Sequence, residues 1–433
     1  MRPAPDPSLR LRSRLLPLLV IVLLVMQLLD PFRGWSMLLI GLGGAWFASY
    51  LWARSLKHNL RLVREKRFGW AQVGDRLEER FTLKNDGKMP GLWVEIEDHS
   101  TLPGYLPSRV TGVGGWAVNR WRTQAACEQR GVYTLGPTTL RTADPLGLYS
   151  VEIHDPSRAD LVVMPPVVPL PHIEIAPGGQ AGEGRPRPDA PERTQAASSV
   201  RPFVHGDSLR WVHWRTSARR DQFYVRLFDS TPSSDWWIFI DMDRRVQAGE
   251  GQASTEEHSV ILAASLADRG LRQGRRVGLV AYGKRLVWIP PQEGGEHRWE
   301  ILRALATVAP GESSLGELLE HTRHSIRQRA SLILITPNVH GDWLEALLPL
   351  TWRGSVPTVL LLDPSTFGNH ADNRALLASL AESGIQGYSI SRELLERPEA
   401  VPGKAGRWEW RVSPTGRAVA VRRPHDLDWK VLS

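Results

Sequence analysis

The sequence predicts a multidomain protein made of a transmembrane helical hairpin, an antiparallel β-sandwich and an α/β doubly wound domain. Two uncharged apolar runs occupy residues 15–29 and 34–53. Short segments with a period of two follow them to about residue 165, and strands alternate with helical patterns from residue 235 onward. The 433 residues suffice for two or three domains, each with its own core.

We expect residues 15–53 to cross the lipid bilayer as a helical hairpin. The first run is shorter than the roughly 20 residues that a bilayer core requires, but no cleavage pattern of small residues closes it, and a second run follows at once. Basic residues flank both outer ends of the hairpin, whereas the connector holds only Arg33 against Asp30. The positive-inside rule therefore places a basic tail, residues 1–14, and the soluble domains in the cytoplasm.

Composition limits the kinds of site that the chain can hold. Its 18 Trp and 32 Pro suit sandwich cores, membrane interfaces and extended linkers. The single Cys127 excludes an intrachain disulfide and a cysteine-based metal site. The formal net charge of +8 is concentrated beside the apolar runs and in residues 199–229, and anionic lipid headgroups are the simplest partner for the first of these clusters.

Residues 54–165 are predicted to form the β-sandwich. Apolar residues alternate with polar ones on both sides of a turn at residues 85–88, which predicts a β-hairpin. Several further short strands within about 100 residues are typical of a sandwich. The apolar positions of the predicted hairpin are Phe81, Leu83, Leu92, Val94 and Ile96.

A linker and the α/β domain are predicted to follow. Residues 166–200 include a stretch rich in Gly, Pro and Ala with no apolar period, which predicts a mobile linker. In residues 235–433, a buried strand ends at Asp241 and Ser254 begins a capping box before a long helix. Repeated alternation of strands and helices favours a mostly parallel, doubly wound sheet.

The segment between them, residues 201–234, is unusually dense in Trp, His and Arg. We predict a turn, a short helix from Asp207 or Ser208 to Arg219, and a strand at residues 223–228. The passage resembles the signature of the domain of unknown function 58 family, a G-D turn followed by R-x-I-H-W-R-x-S-A-R and a V-R-x-F strand. The candidate site residues are Gly206, Asp207, Arg210, Trp211, His213, Trp214, Arg215, Ser217, Arg219, Arg220 and Arg226.

These residues admit two interpretations. They could form a structural clamp, in which arginines bond carboxylates and tryptophans fill a seam between domains. They could instead form a surface for docking a partner, since Trp and Arg dominate interface hot spots. We expect Trp214 to be buried in a seam, Arg215 to be structural, and Arg219 with Arg220 to dock the partner.

The α/β domain resembles a von Willebrand factor A domain with a degenerate metal site. In metal-binding members of that family the first strand ends in D-x-S-x-S. In this chain Asp241 is present, but Asp243 and Arg245 stand in place of the two serines. Thr336 occupies the position of a further aspartate, and residues 311–314 correspond to a threonine loop. A guanidinium beside two carboxylates opposes a divalent cation, so neither a metal nor another cofactor is expected.

The sequence therefore favours a membrane-anchored scaffold that is not an enzyme. No H-E-x-x-H, G-x-S-x-G or paired-Cys pattern occurs. The family resemblance implies a protein of the bacterial inner membrane whose partner is a MoxR-type AAA+ ATPase, acting in envelope-associated assembly or maturation. The alternative is nucleic-acid binding through the Arg/Trp-rich signature. Acidic Asp207, Asp221 and Asp229 interrupt the basic patch, so nucleic acid is not the expected partner.

Overall fold

A computed structural model divides the chain into two compact units. The first contains Met1–Pro165 and Pro398–Ser433, and the second contains Pro166–Arg397. The structure describes residues 6–170, 173–178, 197–203, 212–220, 222–228, 235–326, 330–369, 371–394, 409–412, 418–422 and 430–431.

Two helices and a set of mainly antiparallel strands build the first unit. Its helices are α1 (Leu15–Leu29) and α2 (Arg33–Asn59). Its strands before residue 165 are β1 (Asp6–Leu11), β2 (Leu60–Lys66), β3 (Trp70–Gln72), β4 (Arg76–Asn85), β5 (Gly91–Asp98), β6 (Arg109–Val113), β7 (Val118–Ala126), β8 (Gly131–Leu135), β9 (Thr138–Ala143), β10 (Tyr149–Asp155) and β11 (Ala159–Met164).

The second unit alternates strands with helices, and three short strands after it return to the first unit. In chain order the elements are β12 (Ala197–Pro202), α3 (Trp214–Arg220), β13 (Tyr224–Phe228), β14 (Trp236–Ile240), α4 (Thr255–Arg272), β15 (Val277–Tyr282), β16 (Leu286–Gln292), α5 (Gly295–Thr307), α6 (Leu315–Thr322), β17 (Ser331–Thr336), α7 (Leu344–Trp352), β18 (Val356–Leu362), α8 (Arg374–Glu382), β19 (Gln386–Ile390), β20 (Glu409–Val412), β21 (Ala418–Arg422) and β22 (Lys430–Val431).

The first unit contains two larger sheets that share a core, as the prediction of a β-sandwich requires. One sheet has the order β1-β10-β9-β5-β6 and the other β22-β2-β4-β7. Side chains from both sheets, such as Leu83 of β4 and Val94 of β5, meet in one buried cluster. Because β22 pairs with β2, the end of the chain belongs to this unit and not, as predicted, to the α/β domain.

The amino-terminal segment differs from the predicted basic tail. Residues 6–11 form β1, which pairs with β10 at the edge of the five-stranded sheet. Leu9 packs against the shared core, and this contact explains why an arginine-rich segment is ordered as a strand. The helix α2 also extends past the predicted end at residue 53: Ala53 and Leu56 are fully buried, and Ala53 belongs to the same core.

Only α2, among the described helices, is long and apolar enough to cross a membrane by length and composition. The helix α1 is apolar but has 15 residues. Most of the large apolar side chains of α1 are exposed, including Leu15 and Leu28, and in α2 the same holds for Met37 and Ile40. These helices therefore present an apolar surface that no described part of the chain covers.

The predicted hairpin around residues 85–88 does not exist as a pair of strands. The strand β4 pairs with β2 and β7, whereas β5 pairs with β9 and β6 in the other sheet. The connection crosses from sheet to sheet, and the buried Asn85 holds it by donating from Nδ2 to the carbonyl oxygens of Met89 (2.8 Å) and Gly114 (3.0 Å). Alternation located the two strands correctly but could not specify their partners.

A buried polar cluster joins the two sheets. Arg64 of β2 donates from Nε and Nη2 to the carboxylate of Glu79 on β4, at 2.9 and 2.6 Å. The Nη1 of Arg64 bonds Asp98 of β5, and the hydroxyl of Tyr105 donates to Glu79. Burial and the charge of Glu79 raise the pKa of Tyr105 far above its usual value, so its phenol stays protonated. The guanidinium of Arg64 thus forms ion pairs with carboxylates from both sheets.

The second unit is centred on a six-stranded sheet of order β16-β15-β14-β17-β18-β19. All neighbouring pairs are parallel except β15 with the edge strand β16. Every residue of β14 is buried, as expected for a parallel strand covered on both faces. The predicted cap of α4 is confirmed, since the side chain of Ser254 accepts from the backbone N–H of Glu257 (3.2 Å).

One sequence expectation for the second unit needs correction, and one histidine of α4 lies in its interior. His258 is buried, and its ring meets that of Phe367 edge-on at 4.8 Å. Part of the predicted linker 166–200 is held on the sheet: Ala176 N–H donates to Thr358 (3.1 Å), and Gly178 N–H donates to Ser331 (3.1 Å). Hydroxyls near the starts of two strands therefore satisfy the backbone of this segment.

Candidate functional site

The signature segment is organised around β13 and a helix shorter than predicted. The helix α3 starts at Trp214, and Nδ1 of His213 accepts from the N–H of Thr216 (3.2 Å) as an N-terminal cap. The buried Ser217 donates to the carbonyl of His213 (3.1 Å) and accepts from the N–H of Tyr224 on β13 (2.9 Å). His213 and Ser217 thus fasten the helix to the strand.

Trp214 is not buried in a seam as the sequence analysis expected. Its side chain is 63% exposed, and that of Phe223 is 54% exposed. The two rings meet edge to face with centroids 6.1 Å apart. The buried residues described at this α3–β13 pair are small or β-branched: Ser217, Val212 and Val225.

Three exposed arginines lie in the same helix as Trp214. They are Arg215, Arg219 and Arg220. The guanidinium of Arg220 lies over the ring of Tyr224 at 5.4 Å, a cation–π geometry that fixes its direction. Within the described part of the chain, Arg215 has no hydrogen-bond or ion-pair partner, which differs from the structural role expected for it.

The remaining signature positions fall elsewhere. Arg226 lies in β13. Four others lie outside the described residues, together with the predicted turn and start of the helix: Gly206, Asp207, Arg210 and Trp211.

A second candidate site lies at the carboxyl ends of β14 and β17. Strand order reverses between these neighbours, and such switch points are where α/β sheets bind ligands. Asp241 directly follows β14 and is 1% exposed. Thr336, the last residue of β17, donates to its Oδ2 (2.6 Å), and the N–H of Asp243 donates to its Oδ1 (3.1 Å).

Asp241 has an unusual protonation equilibrium. Burial raises its pKa to about 6, although the hydrogen bonds from Thr336 and from the N–H of Asp243 oppose the rise. The charges of Asp243 and Asp342 raise it further. No described Lys or Arg forms an ion pair with Asp241, so its negative charge is balanced only by neutral donors.

Arg245 pairs with both carboxylate oxygens of Asp243. Its Nε lies 2.9 Å from Oδ1 and its Nη2 lies 2.7 Å from Oδ2, a bidentate pair. Asp243 also forms a β-bridge with Gly311, so the chain does bring residues 311–314 to this place. Among the residues that the structure describes, no group of three or more His, Cys, Asp or Glu could hold a metal ion. A divalent cation would have to compete with the bound guanidinium.

Gln247 completes this site and was not singled out from the sequence. Its Nε2 donates to the carbonyls of Asp241 (3.0 Å) and Asp243 (3.2 Å), and its Oε1 accepts from Thr255 at the start of α4 (2.8 Å). The amide therefore shapes the loop after β14. A glutamine in a loop carries no local sequence signal for such a role.

Comparison with known proteins finds that the signature matches a family model whose description assigns no activity. The family model described as protein of unknown function DUF58 matches residues 199–367. Uncharacterized protein YeaD of Bacillus subtilis is 27% identical over 313 residues, 70% of this chain and 75% of that protein. An uncharacterized protein of Mycobacterium tuberculosis is 25% identical over 168 residues, 37% of this chain and 53% of that protein.

Among solved structures, an aerotolerance-related membrane protein from Bacteroides fragilis is similar over 44% of this chain and 81% of its own. It is 16% identical, with a TM-score of 0.22.

Proposed function

We propose that this chain is a membrane-anchored protein-interaction module, not an enzyme, which docks its partner on the α3 face. This face is defined as Trp214, Phe223, Arg215, Arg219 and Arg220. The observation that supports it is the exposed Trp214–Phe223 pair. Exposed aromatic rings forgo hydrophobic stabilisation that a partner could supply, and Trp with Arg is the composition of interface hot spots.

The resemblance to the family adds a MoxR-type AAA+ ATPase as the proposed partner, in assembly or maturation at the bacterial envelope. The second unit would be a von Willebrand factor A-like domain. Its strand order and single antiparallel edge strand support that assignment. The pairing of Arg245 with Asp243 supports an interaction role without a bound metal.

Replacing Trp214 with Ala is expected to weaken partner binding while lowering stability by no more than about 1 kcal/mol. The exposed indole contributes little to the fold, although a buried one would have contributed far more. The test is binding of the purified MoxR-type ATPase to the full chain, with thermal melting of each variant. Trp352→Ala, which removes an indole that is 73% exposed on the same unit, is the matched control and should leave binding unchanged.

Equal binding by the Trp214→Ala and wild-type chains would contradict docking on the α3 face. An Arg219→Ala/Arg220→Ala double variant compared with Arg215→Ala tests which arginines take part. Salt titration separates the nucleic-acid alternative, because phosphate contacts release counterions and affinity for a nucleic acid would fall steeply with salt.

We further propose that α1 and α2 anchor the chain in the bacterial inner membrane as a multi-pass hairpin, with the soluble units in the cytoplasm. The exposed apolar side chains of both helices and the length of α2 support insertion into lipid. Basic residues at both outer ends support the orientation, because they are retained on the cytoplasmic side.

Protease added to intact spheroplasts is expected to leave the soluble units undigested. The measurement is the size of the chain on an immunoblot with an antibody against the second unit. Digestion should begin only after lysis, because the membrane then no longer separates protease and substrate. Cleavage of the soluble units before lysis, with a cytoplasmic marker protein still intact, would reverse the orientation.

A further inference from the structure

We propose that the end of the first unit next to α1 and α2 inserts Leu92, Trp93 and Leu146 into the headgroup region of the bilayer. We call these three residues the lipid-contact edge. The proposal rests on the membrane anchoring proposed above and adds a surface to it. Leu92 is 58% exposed, Trp93 40% and Leu146 60%.

An irregularity in β5 exposes two of these residues. In a regular strand Leu92 would share the buried face of Val94 and Ile96. The pairing of β5 with β6 instead shifts register between Gly91 and Val94. Both Leu92 and Trp93 consequently point out of the core, one directly after the other. Bulges that redirect side chains are typical of functional edges, and here the redirected side chains are large and apolar.

Leu146 stands at the tip of a rigid turn between β9 and β10. The carboxylate of Asp144 accepts from the N–H of Leu146 (3.0 Å) and from that of Tyr149 (2.6 Å). Asp144 is itself buried, so the turn is fixed from inside. The turn holds an apolar side chain outward although a polar residue would fit the same position.

Hydrogen bonds tie both places to the apolar helices. Trp46 of α2 donates from Nε1 to the hydroxyl of Tyr149 (2.7 Å), three residues after Leu146. Trp52 of α2 donates to the carbonyl of Pro90 (3.0 Å), two residues before Leu92. The N–H of Arg12 donates to the carbonyl of Leu148 (2.7 Å) just before α1 begins. The lipid-contact edge is therefore continuous with the base of the helices.

Helix length brings this base close to the lipid. The 15 residues of α1 span about 22 Å at 1.5 Å per residue, less than the roughly 30 Å of a bilayer core. Since Arg12 and Ser13 are bonded to Leu148, no spacer separates α1 from the strands. The apolar segment can reach deep into the bilayer only if the strands at its base approach the headgroups.

Charge at the base suits an anionic surface. Arg12, Arg14 and Lys88 are exposed next in sequence to the residues just described, and the exposed acidic residues close to them in sequence are Asp86 and Glu95. Cationic groups beside Trp and Leu are the pattern of membrane interfaces. The lipid-contact edge therefore binds phospholipid headgroups rather than a protein partner.

Environment-sensitive labels can test this assignment on the full chain. Single cysteines are placed by Leu92→Cys and Leu146→Cys, labelled with a fluorophore and reconstituted in vesicles of phosphatidylethanolamine and phosphatidylglycerol. The native Cys127 is fully buried, and burial raises its pKa to about 11, so it stays unlabelled in the folded protein. Leu106→Cys and Val132→Cys are the controls, since these exposed apolar residues adjoin the other core cluster of the unit.

We expect lipid-borne quenchers to remove most of the fluorescence at positions 92 and 146 and little at 106 and 132, with aqueous iodide giving the reverse order. A label at Leu24→Cys in α1 reports on anchoring itself. If the α1 label is quenched by lipid while positions 92 and 146 behave like the controls, the lipid-contact edge is overturned and anchoring stands. If the α1 label also escapes lipid quenching, both proposals are overturned.

Discussion

Replacing Arg64 with Met is expected to destabilise the first unit by roughly 3 to 5 kcal/mol, the cost of breaking a buried ion pair from one side. Arg64 is 5% exposed and Glu79 is fully buried, so removal of the guanidinium leaves carboxylates from β4 and β5 without their shared cation. Methionine fills much of the volume, so the loss reflects charge rather than a cavity. Pulse proteolysis in urea, read as the midpoint at which the protected first unit disappears, measures the change.

Arg141→Met is the matched control for this experiment. Arg141 also contacts two carboxylates, Glu97 at 2.8 Å and Glu152 at 3.2 Å, but its side chain is 46% exposed. Water and ions screen such a pair, so its loss should cost less than about 1 kcal/mol. Equal midpoints for the Arg64 and Arg141 variants would show that the buried cluster does not hold the two sheets together.

The strands of the first unit could be located from the sequence, but their partners could not. Alternating apolar residues mark β4 and β5 correctly, because one buried face imposes a period of two. Their placement in different sheets depends on Asn85, whose amide bonds Gly114, a residue 29 positions away. The exposure of Leu92 depends on a shift of register against β6. Both are non-local features that a local pattern cannot contain.

In the candidate sites too, contacts between residues close in sequence could be predicted, whereas contacts between distant residues could not. Arg245 and Asp243 are two residues apart, and their contact could be anticipated from spacing. The donation from Thr336 to Asp241 joins residues 95 positions apart, and no local pattern predicts it. For Trp214, composition suggested burial, since tryptophan usually fills cores. The structure instead exposes it and buries small or β-branched residues at the α3–β13 contact.

Replacing Asp241 with Asn is expected to stabilise the second unit at pH 7 by roughly 3 kcal/mol, since each unit of pKa shift corresponds to about 1.4 kcal/mol. Burial raises this pKa from 3.8 to about 6, so the folded state binds the proton more tightly than the unfolded state. Wild-type stability contributed by this group is therefore complete below pH 3.8 and is lost as pH rises through about 6. Asparagine is neutral throughout and should abolish that loss.

The amide of Asn can also keep the local hydrogen bonds. Its oxygen can accept from the N–H of Asp243, and its nitrogen can donate to Thr336, whose hydroxyl proton then turns away. Urea midpoints of the second unit, measured by pulse proteolysis across this pH range, should coincide for the wild-type and Asp241→Asn chains below pH 3.8, separate as the pH rises from 3.8 to about 6, and differ by a constant amount above that. Subtracting the wild-type midpoint from that of the variant at each pH cancels the contribution of all other titrating groups, because these are the same in both chains.

Asp363→Asn is the control, because Asp363 likewise follows a parallel strand, β18, but lies in a more exposed position where it accepts from the N–H of Ser365. At pH 7 its midpoint should not rise above that of wild type, because the half-buried carboxylate of Asp363 stays in contact with water. If the midpoints of Asp241→Asn and wild type instead differ by the same amount at every pH, a positive charge must balance the Asp241 carboxylate in the folded state.

Adding millimolar Mg²⁺ tests whether a metal ion can supply that charge. The expected result is no rise in the wild-type midpoint at pH 7, since Arg245 already pairs with Asp243. A rise that Asp241→Asn abolishes would establish that the two carboxylates hold a cation despite the guanidinium.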